Sequence, residues 1–354
     1  MILTVVGARP QFVKAAVVSK ALKELGLAES MVHTGQHYDD GLSKVFWQEL
    51  GLPETAINLE AGSGNHGFQT AKIIEKLEAF ILSLPALPTV LLLYGDTNST
   101  LAGSIVASKL NIPIAHVEAG LRSFDKSMPE EVNRIVTDHL SSLLFCSSTE
   151  GVQNLANEGI TKNVHITGDV MYDAVLQNAE SAKKKIDLVE RLPVSSNTFN
   201  LLTLHRPSNT DNIAVMQSLL ETMGGINNNI VWPVHPRVKE KLTEIVLPSN
   251  IHITTPLSYF EMLAALSSCN KVFTDSGGLQ KEAYWLRKPC ITLREETEWV
   301  ETKHNQWNIV CGTDPKKIME AYSTDVDPST WTELYGQGNA AQQIAQLIKD
   351  QYFA

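Results

Sequence analysis

Short β-type runs alternate with helical patterns from one end of the chain to the other, and almost every run ends in polar or glycine-rich residues. Ile2 to Val6, Met31 to Thr34, Thr89 to Tyr94, Ile114 to Val117, Leu143 to Ser147 and Val164 to Thr167 read as strands in the first half. Leu201 to Leu204, Ile230 to Val234, Ile251 to Thr254, Lys271 to Thr274, Cys290 to Leu293 and Ile309 to Cys311 repeat the pattern in the second. Such alternation predicts an α/β protein whose parallel sheets carry helices on both faces. Ligands of such sheets sit beyond the carboxyl ends of the strands, so those ends are the places to look for chemistry.

The length of 354 residues exceeds one ordinary core and fits two domains of about 150 to 180 residues each. The charged, turn-rich stretch 183–198 reads as the linker, giving an N-terminal domain over 1–175 and a C-terminal domain over 176–335. Residues 336–354 then form a terminal helix with Ile344, Leu347 and Ile348 as an apolar stripe that docks back on the first domain. Helices are expected over 39–50 and from about Phe68 to Leu82, with a flexible loop over 61–67.

A net charge of −10 argues against a nucleic-acid partner. No apolar run reaches bilayer length and the chain opens on a strand without a basic leader, which points to the cytoplasm and to no membrane partner. The four cysteines, Cys146, Cys269, Cys290 and Cys311, form no Cys-x-x-Cys pair and read as buried thiols, not a metal site or a disulfide frame. His33 and His37 have i,i+4 spacing but flank Gly35 in a strand-to-loop segment, so they do not read as a metal pair.

The stretch Asp275-Ser276-Gly277-Gly278 joins a buried strand to a helix. Its glycines expose backbone N–H groups at a helix start, where unpaired donors and the dipole favour an anion such as a diphosphate. A plain serine cap and glycine turn would look the same. Glu282 lies one turn further on, within reach of a ribose hydroxyl. The first strand ends in Gly7-Ala8-Arg9-Pro10 with Lys14 beyond it, a basic pair near a helix start. No Gly-x-Gly-x-x-Gly stands there, so nothing supports a nicotinamide cofactor. Asp96 follows the most hydrophobic strand, where it would serve equally as a helix cap. Glu118 follows the next, and Glu130 opens a helix after Pro129, where with Glu131 it would complement the helix dipole. Asp96, Glu118 and Glu130 are expected on one rim, where crowded carboxylates suit proton transfer. His205 and Arg206 end the first strand of the second half.

Taken in order and spacing, these segments resemble the non-hydrolysing UDP-N-acetylglucosamine 2-epimerases over essentially the whole chain. The likeness rests on Gly7-Ala8-Arg9-Pro10 with Lys14, on 33–37 (His-Thr-Gly-Gln-His) and on Gly95-Asp96-Thr97. It continues through 116–122 (His-Val-Glu-Ala-Gly-Leu-Arg), 129–134 (Pro-Glu-Glu-Val-Asn-Arg), Leu204-His205-Arg206, 233–236 (Pro-Val-His-Pro) and 274–283. The resemblance implies a glycosyltransferase type B-like fold, with two Rossmann-like domains facing across a cleft and the terminal helix crossing back. It implies a cytoplasmic homodimer that takes a UDP-sugar, needs no cofactor or metal, and makes polysaccharide precursors. It implies that C2 of a UDP-2-acetamidosugar is inverted by eliminating UDP to a 2-acetamidoglucal and adding it back. Asp96, Glu118 and Glu130 match the acid/base group, with Lys14 and His205 beside them. Arg9 and Arg134 match sugar and phosphate contacts, Ser276, Gly277 and Gly278 the diphosphate site, and Glu282 the ribose contact.

Two departures bear on the substrate. Residues 36–39 and 61–64 differ from the segments that, in bacterial members, go with activation by a second UDP-sugar. Residues 297–301 (Thr-Glu-Trp-Val-Glu) look more like the branch that epimerises UDP-2,3-diacetamido-2,3-dideoxyglucuronate. A glycosyltransferase shares the expected fold and a diphosphate site, but has no need of three carboxylates near the sugar.

Overall fold

Each half of the sequence builds its own parallel sheet. The computed structural model describes residues 1–36, 47, 49–187, 192–194 and 198–354. The expected helix over 39–50 and His37 therefore lie outside the described residues, apart from Trp47, Glu49 and Leu50. The described chain divides into two compact units, one of Met1–Ala174 with Tyr335–Ala354 and one of Val175–Leu334.

The first unit holds strands β1 (Ile2–Val6), β2 (Glu29–His33), β3 (Thr55–Asn58), β4 (Val90–Tyr94), β5 (Ile114–Val117), β6 (Leu143–Cys146) and β7 (Val164–Ile166). They pair in the order β3-β2-β1-β4-β5-β6-β7, and all neighbours run parallel. The central strand β4, Val90-Leu91-Leu92-Leu93-Tyr94, is wholly buried because helices cover both its faces; that is why it reads as a continuous apolar run and not as alternation. The unit's helices are α1 (Arg9–Glu24), α2 (His66–Ser83), α3 (Asn98–Lys109), α4 (Pro129–Leu140), α5 (Thr149–Asn157) and the first residues of α6 (Val170–Lys185), most of which belongs to the second unit. Pro10 and Pro129 stand in the first turns of α1 and α4, where a missing N–H costs nothing. Neither β3 nor α5 was expected from the sequence. β3 is short and mostly exposed, so it shows no apolar alternation, and α5 has only nine residues.

In the second unit β8 (Phe199–Thr203), β9 (Asn229–Pro233), β10 (Ile251–Thr254), β11 (Val272–Thr274), β12 (Cys290–Thr292) and β13 (Asn308–Val310) pair in the parallel order β10-β9-β8-β11-β12-β13. The longer helices are α7 (Ile213–Gly224), α8 (Tyr259–Ser268), α9 (Gly277–Trp285) and α10 (Pro315–Ser323). Trp232, Phe273, Leu219 and Ile291 fill the core on one face of this sheet. All four cysteines are buried and free.

The chain closes with α11 (Ala340–Tyr352), which packs on α1 of the first unit with Ile344, Ala345 and Ile348 buried. The Asp173 carboxylate receives the Ala341 N–H at 2.8 Å and so caps the start of α11.

Both sheets reverse their strand order once, between β1 and β4 in the first and between β8 and β11 in the second. At such a reversal the flanking connections leave on opposite faces and open a crevice at the carboxyl ends of the strands. The candidate residues of each unit gather at these two places.

Candidate active site

At the first reversal the turns after β1 and β4 are bound together by Gln11. Its Oε1 accepts from the Gly7 and Ala8 N–H groups at 2.8 and 3.1 Å, and its Nε2 donates to the Tyr94 carbonyl at 2.7 Å. Gly95 then turns the chain with φ +62. The cap of α3 is Thr97, whose side chain accepts from the Thr100 N–H. Asp96 is therefore not the helix cap it would serve as equally well from the sequence. Its carboxylate forms an ion pair with Arg134, and Arg134 Nη1 also donates to Glu131 at 2.9 Å.

Glu118 stands at the neighbouring strand end, where Tyr94 pairs with Val117. It takes φ +70, a conformation that costs a side-chain-bearing residue about 1–3 kcal/mol and concentrates at functional sites. Its carboxylate pairs with Lys14, and both side chains are almost buried. Burial works against the Lys14 charge, but Glu118, with Asp169 and Asp96 behind it, more than offsets this and raises the pKa. Asp96 and Glu118 thus lie on adjacent strand ends, each with its own cation and with Lys14 feeling both.

Glu130 is exposed and has no hydrogen-bond or ion-pair partner among the described residues. Its neighbour Glu131 is the buried one. It receives the Ser123 and Phe124 N–H groups at 2.8 and 2.9 Å and the Arg134 guanidinium. Burial alone would raise its pKa, but these donors hold it below the usual carboxylate range. Glu131 is thereby committed to pinning the loop before α4. Arg9, the first residue of α1, is exposed, whereas Lys14 is engaged by Glu118, so the two members of the expected basic pair differ in setting.

At the second reversal Asp275 is wholly buried. It accepts from the His205 and Arg206 N–H groups at 3.0 and 2.9 Å, from Asn209 Nδ2 at 3.2 Å and from His205 Nδ1 at 3.0 Å. Burial pushes its pKa up, and these contacts, His205 first, bring it below the usual range. Asp275 therefore orients the His205 ring and fixes its Nδ1 as a donor, while the side chain stays 42% exposed. The cap of α9 is Ser276, which accepts from the Leu279 N–H. Gly278 is exposed, and a methyl group built there would meet nothing within 4 Å, whereas Gly277 lies against Glu298, Trp299 and Arg294. Arg294 and Glu298 form a two-bond ion pair at 2.9 Å beside Gly277, and Trp299 Nε1 donates to the Gly277 carbonyl at 2.9 Å. Glu282, one turn into α9, has its pKa pushed up to about 7 by burial, against which Lys281 acts only in part.

The sequence thus named the strand ends that carry side-chain chemistry but missed the residues that hold them, Gln11, Glu131 and Asp275. Asp275 was visible as a neighbour of Ser276. Its partner at position 205 depends on β8 and β11 being adjacent, which one sequence does not show.

Two α/β units, each a parallel sheet that reverses its strand order once, define a protein of the Rossmann-like class. A glycosyltransferase from Streptomyces nogalater aligns over 99% of this chain and 95% of its own, with a TM-score of 0.58 at 12% identity, a likeness of fold alone. The model of the UDP-N-acetylglucosamine 2-epimerase family matches residues 20–349, and the chain belongs to that family. It is 43% identical to a UDP-N-acetylglucosamine 2-epimerase homolog of Methanococcus maripaludis, over 99% of both chains. It is 42% identical to the UDP-2,3-diacetamido-2,3-dideoxy-D-glucuronate 2-epimerase of Pseudomonas aeruginosa, over 98% of this chain and 99% of the other. The crystal structure of Methanocaldococcus jannaschii UDP-GlcNAc 2-epimerase in complex with UDP-GlcNAc and UDP aligns over 99% of this chain and all of that one. Its TM-score is 0.83 at 37% identity.

Proposed function

We propose that the protein inverts C2 of a UDP-2-acetamidosugar, converting UDP-N-acetylglucosamine to UDP-N-acetylmannosamine by elimination and re-addition of UDP. The observation that carries this reading is the pair of carboxylates, Asp96 and Glu118, on adjacent strand ends at the sheet reversal, each neutralised by its own cation. C2–H of a glycosyl phosphate is weakly acidic, so its removal is coupled to departure of the group on C1. A carboxylate takes the C2 proton, the C1–O bond breaks, and a C1=C2 double bond forms in the glucal. Reprotonation of C2 on the other face and attack of the UDP oxygen on C1 complete the inversion without net redox change. Two acid/base groups on opposite faces are required, and Asp96 and Glu118 fit that need, with the exposed Glu130 as the third member of the set.

In the second unit, Ser276, Gly277 and Gly278 offer N–H groups at a helix start to the diphosphate. His205, oriented by Asp275, is assigned to the departing phosphate, Arg9 and Arg134 to sugar and phosphate oxygens, and Glu282 to the ribose hydroxyls. The reading includes a homodimer in the cytoplasm that supplies surface polysaccharide precursors. Among the described residues no helix is long and apolar enough to cross a membrane. A second substrate, UDP-2,3-diacetamido-2,3-dideoxyglucuronate, is favoured by the 42% identity to a relative of that name and by Thr297-Glu298-Trp299-Val300-Glu301.

The test is proton NMR in D₂O with each UDP-sugar offered separately. Deuterium at C2 and the manno isomer from UDP-N-acetylglucosamine are expected. Turnover of the diacetamido-uronate alone would keep the chemistry and change the substrate, and silence with both would sink the reading.

Glu282 supplies a pH test. If it receives the ribose hydroxyls as a carboxylate, a UDP-sugar must bind the ionised form of a group whose pKa is about 7. Binding then releases a proton, and affinity falls by up to tenfold per unit as pH drops below about 7. Calorimetry in buffers of different ionisation enthalpy should show this in the native protein and lose it in Glu282→Gln.

A further inference from the structure

His116, two residues before Glu118, is wholly buried and meets an acceptor at each ring nitrogen. Asp138 Oδ1 lies 2.7 Å from Nδ1, and the Gly95 carbonyl oxygen lies 2.8 Å from Nε2. The Gly95 carbonyl can only accept, so Nε2 carries a proton, and Nδ1 is bonded to Asp138. Burial alone would raise the Asp138 pKa, but His116 first and then Arg122 bring it below the usual range. Its second oxygen accepts from Arg122 Nη1 at 2.7 Å and from the Gly120 N–H at 3.1 Å. Also packed here are Glu158, the residue after α5, which takes the Arg122 guanidinium through two bonds, and the Cys146 thiol of β6. His139 reaches only the outer side of Glu158.

What this network grips is the backbone of the reacting residues. The Gly95 carbonyl belongs to the peptide that carries Asp96, and the Asp96 carbonyl is held from its other side by Asn133 Nδ2 at 2.8 Å. The same ring is anchored on β5, whose next turn puts Glu118 at φ +70.

We propose that His116 is a positioning residue, a buried ring clamped by Asp138 that fixes the Gly95–Asp96 peptide and the strand end bearing Glu118. Its effect on rate rests on the epimerase reading above. Both ring nitrogens are taken up by Gly95 and Asp138 and the ring is wholly buried, so it acts only through the two carboxylates.

Proton–nitrogen NMR of the full chain, without substrate, should show the His116 Nε2 proton hydrogen-bonded and slow to exchange with solvent. A fast-exchanging Nε2 proton overturns the proposal. In His116→Gln one acceptor loses its donor and the Asp96 turn is released. The expected loss is about 10–100-fold in kcat with KM for the UDP-sugar nearly unchanged, the size of effect a small misplacement produces. A folded His116→Gln with native kcat overturns the proposal, as does a fall that merely follows the fraction of folded protein. Native protein that exchanges no deuterium into C2 of either sugar would defeat the epimerase reading separately, because the NMR arm needs no substrate.

Discussion

Asp96→Asn is expected to lower turnover by about 10²–10⁴-fold while leaving UDP affinity almost unchanged, because a general acid–base group contributes on that scale. The substitution is close to isosteric. An asparagine Oδ1 still accepts from Arg134, and the Asp96 backbone stays held by Asn133, so what is lost is the ability to take or give a proton. Glu118→Gln should lose as much or more, but it is the less clean experiment. Lys14 is 9% exposed and would be left as a buried cation without its main partner, a change that costs about 3–5 kcal/mol in comparable pairs. A falling melting temperature should therefore accompany the loss in Glu118→Gln and be nearly absent in Asp96→Asn. Steady-state kinetics beside thermal unfolding separates the two. Near-native kcat in Asp96→Asn would remove that residue from the mechanism.

Gly120→Ala should strongly destabilise the first unit. Gly120 has φ +79, and a methyl group there would lie 2.3 Å from the Gly151 carbonyl oxygen and 2.8 Å from its Cα, inside any tolerable contact. Both neighbours are backbone, so no rotamer change relieves the overlap. The loop after β5 would have to leave α5, breaking the Gly120 N–H bond to Asp138 as it moves. Strained backbone and forced repacking together amount to on the order of 3 kcal/mol or more. Gly26→Ala is the control: it shares a positive φ of +72 but meets nothing within 4 Å, so it should cost only about 1–2 kcal/mol. Urea unfolding of both variants reads the difference. Equal losses would mean that conformation, not the approach of α5, is what Gly120 serves.

The strands were legible because buried parallel strands are nearly pure apolar runs, as in Val90 to Tyr94, and because a polar residue after such a run marks a carboxyl end. The same logic placed Asp96, Glu118, His205 and Ser276 at strand ends. It failed where position depends on a partner far along the chain. Glu130 and Glu131 are adjacent on one helical turn, and only the loop over 123–124 decides that Glu131 is the buried one. His116 looked like part of a strand because its acceptors, Gly95 and Asp138, come from a different strand and a later helix. Thr97 took the capping role that Asp96 could equally have filled, a choice set by one residue of helix phase. Strand β3 escaped notice because an exposed edge strand needs no apolar pattern.

The second unit is one unbroken stretch, Val175–Leu334, whereas the first is made of two pieces far apart in the chain. A ribosome makes the chain from the amino end, so the second unit has all its parts before the first does. Helix α1 is made before the second unit, and the helix that covers it, α11, after it. During synthesis the face of α1 that α11 covers must wait for the whole second unit to appear. The first unit therefore begins first and finishes last, and its half-built form is the stage at which a chaperone would find exposed apolar surface.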